Sequence, residues 1–394
     1  VRLATLVTNI RYKNRDDLLL AEFPAGTSVA GVFTQTLAAA APVQWCRKVL
    51  KSGEARALLV NAGNANAATG KAGEALLQTT VDAVAKAVSC KKSEVFIAST
   101  GIVGQPLPKD RIAAFVPTIA KKALHGKPTS KIWVKAAGAI KTTDTFTKWV
   151  TRTAKIGGKQ VSITGFAKGS GMIAPNMATL LAFVFTDAAI SADALQKMLN
   201  EATDKSFNSI TVDGDTSTND TLLVFATGAA KNTEIANAAD RQLRDFRTAF
   251  ESLLSELAQL VVRDGEGAQK FITIDVTGAV SDKAARGIGL TIANSCLVKT
   301  AIAGEDANWG RILAAAGRSG EKIDMRYARV AMGGVPIARN GQQIKGYDEK
   351  PVAKHLKGRI IDIAVDAGVG KGKARVWTCD LTHGYIDINA SYRS

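Results

Sequence analysis

The chain has 394 residues, 46% of them hydrophobic and 22% charged, with a formal net charge of +16; this is enough apolar material for a sizeable core, and the length predicts two or three domains. No apolar run approaches a bilayer span, and Cys46, Cys90, Cys296 and Cys379 are scattered without a CxxC or Cys/His cluster, which excludes a membrane helix and a structural zinc and predicts a reducing compartment. Only three histidines are present, His125, His355 and His383, so chemistry built on imidazole has few places to sit.

The first residues, Val1-Arg-Leu-Ala-Thr-Leu-Val, lack a long apolar stretch followed by a small-residue cleavage signal. A soluble cytoplasmic protein is expected, or an organelle enzyme with its targeting segment removed. Residues 55–61 read as a strand and 95–99 as a buried strand. Between them, 71–89 reads as an amphipathic helix with Leu76, Leu77, Val81, Val84 and Val88 on one side. From Lys121 to Lys168 the chain carries eleven basic residues against Asp144 alone. The imbalance is regional: residues 1–178 hold 25 Lys+Arg and 9 Asp+Glu, whereas residues 179–394 hold 26 of each. Such a run is either a solvated face or a surface that attracts small anions. It has no aromatic interleaving of the single-strand-binding type and no helix-turn-helix or zinc-finger spacing, so nucleic acid is a minor reading.

Strands are expected at 161–166 and 179–185, on either side of a glycine-rich loop. Ser191 and Asp193 mark the start of a helix running to about 204. A strand pair at 210–212 and 222–226 brackets the polar loop 213–220. A long helix at 242–262, a strand at 271–276 and a helix at 309–316 follow, then strands at 327–332, 359–365, 374–381 and 384–389. This alternation predicts an α/β or α+β class with two interlocked layers of sheet.

Polar, glycine-rich clusters recur at the ends of the apolar strands: Asn61-Ala-Gly-Asn-Ala-Asn66, Ser99-Thr-Gly101, Thr142-Thr-Asp-Thr145, Lys168-Gly-Ser-Gly171, Asp264-Gly-Glu-Gly267 and Asn308-Trp-Gly-Arg311. Each alone is ordinary turn material, but six in one chain predict a composite pocket. Dinucleotide-binding, Walker A and G-x-S-x-G patterns are absent from the sequence. Thr179 stands at the seam between the Gly169/Gly171/Pro175 loop and an apolar strand. It is either the first residue of a core strand or a nucleophile with a rigid floor beneath it.

The run Lys168-Gly-Ser-Gly-Met…Asn-Met-Ala-Thr-Leu-Leu, with Ala-Ser-Thr-Gly at 98–101, Thr-Thr-Asp-Thr at 142–145, Asp-Gly-Glu-Gly at 264–267 and Asn-Trp-Gly-Arg at 308–311, closely resembles the ornithine acetyltransferases, or bifunctional glutamate N-acetyltransferases, of arginine biosynthesis. The resemblance extends from Ala30-Gly-Val-Phe-Thr34 to the last residue; residues 1–11 are more basic and less glycine-rich than the start of that family. It implies an α+β, αββα-like layered fold of the ornithine acetyltransferase/DmpA type. It also implies self-cleavage between Ala178 and Thr179. The products are an α part of residues 1–178 and a β part of residues 179–394, with about 280–394 as a C-terminal α/β region and cleaved chains assembled as an (αβ)2 heterotetramer.

By the same resemblance, Thr179 attacks N-acetylornithine and carries the acetyl group to glutamate, while Thr100 and Gly101 stabilise the oxyanion. Substrates are bound by Thr145, Lys168, Thr179, Glu266, Asn389 and Ser394. No metal or cofactor is implied, and acetyl-CoA enters only as a possible co-substrate. Once cut, Thr179 would carry an α-amine of pKa about 8 able to act as its base. An amidohydrolase or aminopeptidase with the same N-terminal nucleophile, and a non-enzymatic basic nucleic-acid-binding protein, are the competing readings.

Overall fold

The computed structural model of the chain describes residues 1–126, 129–174 and 180–391. Two compact units emerge. The first is formed by Val1–Gly169, Asn176–Asp204 and Asp215–Leu257, and the second by Ser170–Pro175, Lys205–Gly214 and Ala258–Ser394. Helices layered with mixed sheets make the class α+β, as expected.

The first unit is built on an eight-stranded sheet comprising β1 (Arg2–Leu6), β2 (Leu18–Phe33), β3 (Glu54–Asn64), β4 (Val95–Ile102), β5 (Lys148–Ile156), β6 (Lys159–Lys168), β7 (Leu181–Thr186) and β8 (Thr221–Ala226). The order is β4-β3-β2-β8-β7-β6-β5, with β1 on β2; β3·β4 and β7·β8 are parallel, and the other pairs antiparallel. Both β7 (LAFVFT) and β8 (TLLVFA) are buried at every position, which is why they read as continuous apolar runs and sit at the centre of the sheet.

Alternate residues of β2 feed two cores, Leu19, Ala21 and Phe23 on one side and Leu18 and Leu20 on the other. Helices α1 (Ala41–Val49), α2 (Gly70–Val88), α3 (Val116–His125) and α4 (Ser130–Ala139) close these cores. The core under α1 and α4 is aromatic: Phe23 and Phe225 stack with ring centroids 4.4 Å apart, and Phe185 lies 5.6 Å from Phe225. The opposite core is aliphatic and takes Leu76, Leu77, Val81, Val84 and Val88 from α2, the stripe that spacing predicts. Helix α5 (Ala192–Asp204) follows β7, with Ser191 Oγ accepting the Ala194 N–H at its start. The chain passes into the second unit within α6 (Arg244–Arg263).

The second unit carries a six-stranded sheet of β9 (Phe271–Ala279), β10 (Arg329–Met332), β11 (Val335–Arg339), β12 (Gln342–Gln343), β13 (Ile360–Asp366) and β14 (Gly372–Cys379), in the order β12-β11-β10-β13-β9-β14. Its helices are α7 (Asp282–Ala293), α8 (Cys296–Ala303), α9 (Trp309–Gly317), α10 (Lys350–Leu356) and α11 (His383–Ala390). Ile272, Ile274 and Val276 of β9 pack with Ile288 and Ile292 of α7 in an aliphatic core.

Three sequence expectations are corrected. Residues 384–389 form most of helix α11, not a strand; Thr382 Oγ1 accepts the Gly384 N–H at 3.2 Å, and Ile386 and Ile388 are exposed. Their alternation with Asp387 and Asn389 imitates a half-buried strand, but local capping decides the outcome. Residues 210–212 make only an isolated bridge, Ile210 to Trp377. The basic run is also not one solvated face: Lys148 and Lys168 are buried, and Lys122 Nζ donates to the Thr5 carbonyl at 2.7 Å. Among the described residues, no helix is long and apolar enough to cross a membrane.

Candidate active site

In the first unit, the C-terminal ends of β3, β4 and β6 bring a polar cluster together. Parallel pairing of β3 with β4 sets Asn61 beside Ser99 and Gly63 beside Gly101. The glycine pair is required sterically: Gly101 has φ +133°, and a Cβ there would lie 2.3 Å from the Gly63 carbonyl carbon. Asparagines fasten these strand ends. Ser99 Oγ donates to Asn61 Oδ1 at 2.6 Å, and Asn219 Nδ2 donates to the carbonyls of Ala65 at 2.7 Å and Ser99 at 2.8 Å. The Asn61–Asn66 cluster therefore extends and locks a strand end.

Thr100, the residue next to Gly101, is buried and accepts a hydrogen bond from Lys168 Nζ at 3.1 Å. Lys168 closes β6 and is itself buried. Asp144 secures the arrangement: Oδ1 accepts from Lys148 Nζ at 2.6 Å and from the Gly169 N–H at 2.7 Å, and Oδ2 from the Thr142 N–H at 3.0 Å. Burial alone would raise the Asp144 pKa, but the charges of Lys168 and Lys148, with hydrogen bonds from Lys148 and Gly169, outweigh it and hold the group at about 2. Thr145, the next residue, is exposed.

A second carboxyl group in this unit behaves oppositely. Asp220, fully buried just before β8, accepts the Leu180 N–H on Oδ1 at 2.7 Å. Burial pushes its pKa well above the ordinary carboxylate value, against the Leu180 hydrogen bond and the Lys168 charge. Lys148 and Lys168 both act on the ionised Asp144 carboxylate, and the strand-end cluster presents a lysine beside a threonine hydroxyl, groups of the kind that stabilise an anionic group or a developing oxyanion.

In the second unit, Glu266 lies in the turn after α6 and is 9% exposed. Its N–H donates to the Ser170 carbonyl at 2.8 Å, and Oε2 accepts from Asn389 Nδ2 at 2.9 Å. A Cβ at Gly171 would stand 2.2 Å from that same Oε2, so the glycine makes room for the carboxylate. Helix α11 folds the C-terminal region onto this loop, and its Tyr385 hydroxyl donates to Asp213 Oδ2 at 3.3 Å. Asp213 in turn accepts the N–H groups of Met172 and Ile173.

Of the residues singled out from the sequence, Thr100, Gly101 and Lys168 therefore meet in the first unit, and Glu266 and Asn389 in the second. Ala178, Thr179 and Ser394 lie outside the described residues. Sequence reasoning assigns no role to Lys148, Asp220 or Asp144, although a lone acid among eleven bases is a usable signal for the last of these.

The sequence profile of the ArgJ family matches residues 2–394. The chain is 55% identical over 394 residues to the arginine biosynthesis bifunctional protein ArgJ of Gluconobacter oxydans, covering all of this chain and 92% of that protein. It is 51% identical over 397 aligned residues to the protein of the same name from Bradyrhizobium diazoefficiens, covering all of this chain and 95% of that one. Among solved structures, the arginine biosynthesis bifunctional protein ArgJ of Bacillus halodurans aligns with a TM-score of 0.51 and 40% identity, over 52% of this chain and 96% of that one. The chain belongs to the ArgJ family.

Proposed function

We propose that this chain transfers an acetyl group from N2-acetylornithine to glutamate by a two-step exchange on Thr179, after cutting itself between Ala178 and Thr179 into parts of residues 1–178 and 179–394. The observation that carries the proposal is the buried Lys168–Thr100 contact beside Gly101, in a chain aligned end to end with relatives named for arginine biosynthesis. Thr179 Oγ attacks the acetyl carbonyl, the new α-amine takes its proton, ornithine leaves, and glutamate then receives the acetyl group from the Thr179 ester. Each half-reaction builds an oxyanion, for which the Thr100 hydroxyl and the Gly101 N–H are the donors; losing one such donor typically costs about 10²–10³ in rate.

Lys168 is the partner for a substrate carboxylate. Glu266 and Asn389 serve the ammonium side of the substrate, with Thr145 and Ser394 as further binding residues. The relatives' description as bifunctional supports acetyl-CoA as a second donor to the same threonine. Two copies of the cut pair form the (αβ)2 assembly.

Incubation with N-acetylornithine and glutamate is expected to yield N-acetylglutamate, with an acetyl adduct on residue 179 by mass spectrometry. Thr179→Ala is expected to stay one unbroken chain and to lose at least about 10³-fold in transfer. Release of acetate without N-acetylglutamate would identify a hydrolase, and an adduct at any other residue would refute the assignment.

A further inference from the structure

Asn219 stands two residues before β8, is 7% exposed, and ties together two segments far from it in the chain. Its Nδ2 donates to the carbonyl of Ala65, just beyond β3, at 2.7 Å and to the carbonyl of Ser99, in β4, at 2.8 Å. Oδ1 accepts from the Thr218 hydroxyl at 2.6 Å, which orients the amide with its two hydrogens toward the two carbonyls. The loop carrying Asn219 is itself fastened. The Ser217 carbonyl accepts from Thr34 Oγ1 at 2.6 Å, the Thr218 carbonyl from the Ala40 N–H at 2.8 Å, and the Asp220 carbonyl from the Thr34 N–H at 3.1 Å.

This clamp falls where the strand ladder loses its regularity. β3 and β4 pair in parallel register as far as Gly63 and Gly101, and the register then shifts at Asn64, which stands opposite both Thr100 and Ile102. Such a shift interrupts the ladder locally, so the two strand ends need another tie. The Ser99 carbonyl belongs to the peptide whose nitrogen is that of Thr100, so pinning it fixes the plane of the peptide entering Thr100. On the other side, Gly101 is confined by the Gly63 backbone, and the Thr100 hydroxyl is held by Lys168 Nζ at 3.1 Å. A hydroxyl that accepts from an ammonium group keeps its own hydrogen for donation. Of these three holds on Thr100 and Gly101, the Asn219 amide is the one that comes from beyond residue 178.

We propose that Asn219 is the positioning residue for the oxyanion donors Thr100 and Gly101, so that the 179–394 part of the chain sets the geometry of donors carried on the 1–178 part. This inference rests on the reading of Thr100 and Gly101 as those donors. Negative charge on the acetyl oxygen develops only in the transition state, and donors lower the barrier only if they stand in place beforehand. A misplacement of about 1 Å can cost about 10²-fold in rate. Asn219→Asp keeps the side-chain size and an acceptor for the Thr218 hydroxyl, but turns an oxygen toward two carbonyl oxygens and so pushes the strand ends apart. Because the lost interaction belongs to the transition state, kcat falls while substrate affinity is kept.

The test is steady-state acetyl transfer from N-acetylornithine to glutamate by the natural sequence, Asn219→Asp and Thr218→Val, with each preparation checked for folding by circular dichroism and for its cut chains by intact mass. Asn219→Asp is expected to lower kcat at least about tenfold with KM for N-acetylornithine within about twofold of the natural value. A smaller fall in kcat, or one matched by a proportionate rise in KM, would overturn the proposal and leave Asn219 a structural tie. If Asn219→Asp gives no folded, cut protein, Thr218→Val carries the test, since it removes the hydroxyl that orients the amide and leaves the strand ends untouched. A fall in kcat of about threefold or more at unchanged KM then supports the role, and a smaller one overturns it. Absence of transfer by the natural chain would instead refute the functional reading on which the inference rests.

Discussion

Asp144 in the first unit accepts from Thr142, Lys148 and Gly169, whereas Glu266 in the second takes, among the described residues, a single side-chain donor, Asn389. The surroundings differ in the same sense. Asp144 belongs to a unit whose sheet packs phenylalanine rings against one another, and it joins a strand end to a glycine loop. Glu266 lies in the turn after α6 in a unit with an aliphatic core, bonded to a short C-terminal helix whose two isoleucines are exposed. A carboxylate saturated by its own protein sets geometry; one with a single amide partner can exchange that partner for a ligand.

The largest expected effect comes from breaking the saturated side. Asp144→Ala leaves buried Lys148 without its carboxylate and the Gly169 N–H without an acceptor, and is expected to lose about 3–5 kcal/mol in denaturant unfolding. A loss below about 1 kcal/mol would show that the cluster is not what holds the loop.

Acid sharpens the same point. Because Asp144 sits at about 2 when folded and near 4 when unfolded, its stabilisation is fully present above the unfolded value and is lost as pH falls through the folded one. About 2 kcal/mol should disappear between about pH 4 and pH 2, a limb that Asp144→Asn lacks when unfolding is followed against pH. Asp220, shifted upward, has the opposite sign: its contribution is present at low pH and declines as pH rises.

The smallest effect is expected on the lightly held side. Glu266→Gln should change stability by no more than about 0.5 kcal/mol, yet raise KM for N-acetylornithine roughly tenfold, about 1.4 kcal/mol, with kcat nearly unchanged. Unchanged KM in steady-state kinetics would remove Glu266 from substrate binding.

Much of the first unit is legible in the sequence because its central strands are continuous apolar runs; Leu181–Thr186 is buried at all six positions and has no solvent face to confuse the pattern. The α2 stripe is legible for the complementary reason, that its period matches one buried face. Residues 384–389 mislead because a short stretch carries a periodicity that a capping threonine overrides. Thr100, Lys168, Glu266 and Asn389 come from resemblance to long motifs. What spacing does not reveal is contact between residues far apart in the chain: the Lys168–Thr100 bond spans 68 positions and the Asn389–Glu266 bond 123. Asp220 is hidden in a polar loop, and only its depth in the structure separates it from ordinary turn carboxylates.

The strand order β2-β8-β7-β6 has a mechanical consequence. The two strands following the proposed scission point are inserted, as a parallel pair, between two strands that precede it. Severing the backbone there liberates a chain end but no fragment: extracting the inserted pair requires unzipping the ladders on both its flanks at once, in a densely aromatic interior. The pieces should therefore co-purify, melt in one transition, and fail to re-form from separately denatured stocks as readily as from the continuous chain, so that covalent continuity matters to assembly and is dispensable afterwards.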